Sequence, residues 1–182
     1  MRLVGLFVAA GLIACASPAL AASGDGECLW NNLTPQTREA LLEAYKTKAS
    51  GAFGSVRPNA ADEAGLKTAC GMTPANMLDK LGILKMVTVE RGAAAALRAE
   101  RGITQDRLDQ AWKGMAPADR DAILTAAVAA IEGDEDTGSA DEAITRFMQG
   151  LGLPIEVAGV NQGFYWLRAH AMRLAYENRP AT

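Results

Sequence analysis

Histidine is almost missing from this sequence: His170 stands alone, and the three cysteines, Cys15, Cys28 and Cys70, form no CxxC pair. A zinc site built from the usual Cys and His ligands lacks donors, and a dithiol redox centre lacks its close pair. Neither GxSxG nor HExxH occurs, and one histidine within a helical segment anchors no Ser-His-Asp triad. Phosphate loops of the GxGxxG or GxxxxGK[ST] type are absent as well. Basic residues are not in excess, with 18 Lys+Arg against 21 Asp+Glu, which argues against a nucleic-acid partner. No apolar run approaches the ~18 residues that a membrane span requires. The sequence therefore predicts no metal, no cofactor and no transmembrane helix, and it leaves catalysis without an anchor.

What the sequence does carry is an export signal. Arg2 is a short positive start, Leu3 to Ala14 is an apolar run, and Pro18 precedes the small residues Ala19 and Ala21. Residues 1–21 are read as a signal peptide, which places the protein in the periplasm or outside the cell. Leu12-Ile13-Ala14-Cys15 also reads as a lipobox, with Cys15 as the candidate lipidation site. Release after Ala21 is favoured, since Pro18 and Ala19-Leu20-Ala21 have no role if the cut falls before Cys15. The alternative is a lipid anchor at Cys15 in the envelope. Either cut leaves Cys28 and Cys70, and two cysteines exported into an oxidising compartment are expected to pair. Removing residues 1–21 takes away one arginine and no acid, leaving 17 basic against 21 acidic side chains.

Helix signals dominate the rest. Residues 22–29 read as a flexible segment and 30–182 as one all-α globular domain of about six to seven helices. Thr34-Pro35, Asn59 with Asp62, Thr73-Pro74, Thr104, Pro117 and Asn161 each mark a helix start, the last opening a helix over 162–177. Gly82 or Gly92 is expected to break the segment that follows Thr73, and ILKMVTV within it has a strand as its alternative. An internal echo links Trp30-Asn-Asn-Leu33-Thr-Pro35 to Trp112-Lys-Gly-Met115-Ala-Pro117, and suggests two divergent helical halves, 30–101 and 112–177.

Three stretches are candidate sites. The acidic run EGDEDTGSADE, residues 132–142, fails the EF-hand register, because Gly138 is fifth from Asp134 and the twelfth position is Thr145. It reads as a solvated loop with Asp141 and Glu142 at the next helix start. GLGLPIEVAGVNQG reads as a bent connector. In the last helix, Trp166, His170, Arg173 and Glu177 fall at i, i+4, i+7 and i+11, on one polar stripe that is the candidate binding patch.

These features point to a non-catalytic envelope module that binds a partner protein. One alternative is a helical carrier of a small apolar or amphipathic ligand, its pocket lined by Met72, Met77, Met86, Met115, Met148 and Met172. The other is a cell-wall hydrolase without a recognisable motif.

Overall fold

A computed structural model describes residues 24–48, 51–134, 138, 140–155 and 161–179. The expected signal peptide with Cys15 lies outside them, as do Glu135 and Asp136 of the acidic run and residues 156–160 of the expected connector. Nine helices and no strand occur among the described residues: α1 (Asp25–Asn31), α2 (Pro35–Lys48), α3 (Ala52–Ser55), α4 (Ala60–Cys70), α5 (Met77–Arg101), α6 (Gln105–Gly114), α7 (Pro117–Glu132), α8 (Asp141–Gly150) and α9 (Gln162–Glu177). The all-α expectation holds. The count exceeds six to seven because α1 and α3 are short, and the expected flexible segment 22–29 is helical from Asp25.

The helix starts follow their local chemistry. Asn59 accepts from the Ala61 and Asp62 N–H groups while Asp62 accepts from the Asn59 N–H, a reciprocal capping box. Thr104 and Asn161 cap α6 and α9 with their side-chain oxygens, and Pro117 sits in the first turn of α7. Thr73-Pro74 behaves differently. It forms a turn closed by Asn76, whose Oδ1 accepts from the Thr73 N–H, and the helix begins only at Met77.

α5 is the axis of the fold and packs most extensively against α9. It runs unbroken through Gly82 and Gly92, and its 25 residues include ILKMVTV. The glycines are there for close approach rather than for a break. A Cβ at Gly92 would lie 2.4 Å from the Tyr45 ring, and one at Gly82 would lie 2.8 Å from the Tyr176 ring. Gly102 ends α5 in the left-handed region at φ 68°, which a glycine adopts without strain.

The core has two parts. The larger gathers α5–α9 around Leu97, Leu108, Phe147, Trp166 and Leu167. The smaller lies beneath α1, α2 and α4, around Leu29, Leu41, Leu66 and Leu84. Cys28 of α1 and Cys70 of α4 form a disulfide beside it, as the sequence reading expects. Asp62, with no solvent exposure, joins the starts of α2 and α4 by accepting from the Thr34 N–H at 2.5 Å and the Thr37 hydroxyl at 2.6 Å.

Candidate functional site

The polar stripe of α9 turns inward, onto α5. Its partner there is Glu90, which occupies a core position in the series Ile83, Val87, Glu90, Ala94, Leu97, spaced by alternating fours and threes along one face. Arg173 donates from Nε to Glu90 Oε2 at 2.8 Å and from Nη2 to Oε1 at 3.4 Å. His170 Nδ1 lies 2.8 Å from Glu90 Oε1. Burial pushes the Glu90 carboxyl up, but the hydrogen bonds and charges of His170 and Arg173 outweigh it and hold the group below its ordinary range. Glu90 is therefore an ionised acceptor, so Nδ1 of His170 carries the proton and donates. Arg173 Nη2, 3.3 Å from that same nitrogen, faces it as a second donor rather than as a hydrogen-bond partner.

The network continues to the N-terminal helix. Arg173 Nη1 donates to Glu177 Oε2 at 2.9 Å, and Glu177 Oε1 accepts from the Gly26 N–H at 2.8 Å. A carboxylate from α9 thus supplies the acceptor that the first turn of α1 lacks in its own sequence. Asp25 pairs with Lys80 and Glu27 with Arg91, both on α5. α1 is fixed to the bundle by these contacts and by the disulfide.

At the other end of the stripe, Trp166 is 0 % exposed. Phe147 stacks parallel to its ring at 5.8 Å, and His170 lies nearly parallel at 4.6 Å. Trp112 meets the His170 ring edge-on at 5.1 Å. The indole N–H donates to Gln105 Oε1 at 3.3 Å, and Gln105 Nε2 donates to Asp109 at 2.9 Å. Trp166, His170, Arg173 and Glu177 are thus brought together, but around Glu90 and inside the protein. Trp166 offers solvent no face on which a sugar could stack.

Ligand atoms of Glu90, Asp109 and His170 lie within 4.8 Å of one another, the grouping among the described residues that most resembles a metal site. Arg173 already holds both oxygens of Glu90, so an ion there would have to displace a guanidinium. The same contact keeps Glu90 ionised and unsuited to donating a proton. Chemically, the cluster is a satisfied ion-pair network: no buried side-chain nitrogen or oxygen among the described residues lacks a partner.

Recesses open elsewhere. A cleft of about 150 Å³ between α7, α8 and α9 is walled by Ile123, Ala127, Ala130, Leu167 and Ala171, with Arg168 at its edge. Met172 lines it, but the other methionines are dispersed: Met86 and Met148 are in the larger core and Met115 packs on it, Met72 packs on the smaller one, and Met77 is exposed. An open groove of about 500 Å³ lies between the first turn of α5, α7 and the end of α9. Leu124, Val128, Leu174 and Ala175 give it an apolar lining, and Asp79 and Glu132 give it acidic walls.

This groove follows from the composition of α7. From Ala122 to Ile131 every residue except Thr125 is apolar; Ile123 and Ala127 are buried, Leu124, Ala126 and Ile131 are half-buried against the larger core, and Val128 is exposed. A helix apolar on all sides is normally covered on all sides. In the first turn of α5, Leu78 is 81 % exposed and Met77 is 44 % exposed. The sequence signal for this surface is the run AILTAAVAAI itself, whose apolar residues do not alternate with a polar face. Glu90 has a signal too, a lone carboxylate in an otherwise apolar heptad-like series. Compared with family models, curated proteins and solved structures, the chain matches none.

Proposed function

We propose that the protein is an exported, non-catalytic helical module that binds a partner protein in the bacterial envelope, through the groove between α5 and α7. The observation that carries this reading is the uncovered side of α7, where Leu124 and Val128 face the groove; Met77 and Leu78 are exposed in the first turn of α5, whose Asp79 lines it. Apolar surface left in water costs roughly 25 cal/mol per Å², and covering it on association recovers that free energy. Export is supported by the layout of residues 1–21, and a structural disulfide suits an oxidising compartment. On that layout the mature chain begins after Ala21, with lipidation at Cys15 as the alternative.

The carrier reading has less support. The cleft of about 150 Å³ falls below the range of roughly 300–1,000 Å³ usual for small-molecule sites, and the groove of about 500 Å³ is within it but open to solvent. A hydrolase has less again, because Glu90 is neutralised by Arg173 in the network that would have to supply its acid. The test is co-purification of the mature protein from envelope extracts, comparing the native chain with Leu78→Gln combined with Val128→Gln. Both positions are exposed, so the fold should be unaffected. A protein recovered with the native chain and lost with the variant is expected. Equal recovery with both would remove this face from the interaction.

A further inference from the structure

From the charge around the same groove we infer that its occupant is a basic amphipathic helix, an apolar stripe flanked on both sides by Lys or Arg. This inference rests on the partner-binding reading and specifies the partner's chemistry.

The shape of the surface comes first. With no strand among the described residues, no sheet edge is offered for an added strand, and the groove runs beside a 16-residue helix, about 24 Å long. Leu124 and Val128 are one helical turn apart on α7, and a partner helix meets such a ridge with residues at i, i+4 and i+7. Ala129, beside the ridge, keeps the α7 surface low enough for close approach.

The walls then decide the charge. Asp79 and Glu132 line the groove, and Asp121, Glu132 and Asp134 line a second recess on α7 that shares Leu124 and Val128 with it. Arg179 is the one cation among the lining residues, and it forms ion pairs of 3.8 Å with both Asp79 and Glu132, too long for a hydrogen bond to either. Among the described residues Asp121 has no side-chain partner, and Asp134 bonds through its backbone N–H, to Ala129. An acidic or neutral helix would bring its apolar stripe into the groove and leave these carboxylates facing like charge or nothing. A helix with Lys or Arg on both flanks satisfies them and gains a faster encounter from their field.

The experiment uses the full mature protein and a pair of constrained helical peptides of about 15 residues with the same leucine stripe. One peptide is flanked by lysines, the other by glutamates. Binding is read by fluorescence anisotropy and stopped flow at low and physiological salt. The lysine peptide should bind at least tenfold more tightly than the glutamate peptide, with an association rate that falls as salt rises. Asp79→Asn with Glu132→Gln should slow association and flatten its salt dependence, while Val128→Gln should speed dissociation. Equal affinity for the two peptides, no binding of either, or a groove closed by a second copy of the chain would each overturn the inference. If the lysine peptide fails while a protein is still lost on Leu78→Gln with Val128→Gln, the partner reading stands and only the occupant's class falls.

Discussion

At the scale of single residues, Glu90 joins the two central helices through His170 and Arg173. It is one carboxylate in an apolar series, and it is tolerated because Arg173 and His170 meet both of its oxygens. Glu90→Gln leaves Arg173 with Glu177 as its one remaining counter-ion, and removing one partner of a buried pair costs up to about 3 kcal/mol. Urea unfolding at pH 7 should show a loss of that size. The pH dependence follows from the lowered carboxyl. The stability that Glu90 contributes is fully present above its unfolded value near 4.5, and it is lost as pH falls through the lower folded value. Asp62 acts in the same direction: its burial raises the carboxyl, but the donors of Thr34, Thr37 and Asn59 bring it below 3.8. Acid should therefore weaken the native chain progressively below about pH 4.5, and Glu90→Gln should make that slope shallower. A slope unchanged by the substitution would mean that Glu90 titrates alike folded and unfolded.

At the scale of elements, the legible helices are those whose start lies within a few residues of sequence. Asn59 with Asp62, Thr104, Pro117 and Asn161 mark α4, α6, α7 and α9 because capping is local chemistry. The continuity of α5 was not legible. Gly82 and Gly92 look like breaks until the rings of Tyr176 and Tyr45 are known to pack on them, and those contacts are tertiary. The Tyr45 ring is held there by its hydroxyl, which donates to Gln162 Oε1 at 2.6 Å. α1 was missed for a related reason. Its seven residues are too few to be a stable helix alone, and it is held by Glu177, Lys80, Arg91 and the disulfide. The Trp30 and Trp112 segments both lead into a helix with proline at its first position. Beyond those junctions, 30–101 holds α2–α5 whereas 112–177 holds α7–α9.

The disulfide prediction also belongs to the element scale. Cys28 and Cys70 close a loop of 42 residues, and opening it should cost about 4 kcal/mol through the entropy regained by the unfolded chain. Replacing both cysteines with serine should lower the urea midpoint accordingly. Thiol alkylation of the native mature chain should add two labels, and only after reduction. Labelling of both thiols without reductant would show that the bridge does not form.

For the whole molecule, the polar stripe and the groove divide the roles that the sequence had joined. Trp166, His170, Arg173 and Glu177 share a helix face as their spacing implies, but sequence periodicity cannot say whether such a face meets solvent or another helix. The answer lies on α5, 80 residues away, where Glu90 awaits them. The groove was hidden for the converse reason, since a run such as AILTAAVAAI reads as core until the helices around it are counted. α7 is left with one apolar side for something else to cover. The most direct test places a photo-crosslinking amino acid at Val128, or at Arg107 on α6 as a control, and irradiates cells exporting the protein. The account predicts a protein adduct from Val128 and none from Arg107; adducts of equal yield from both positions, or none from Val128, would contradict it.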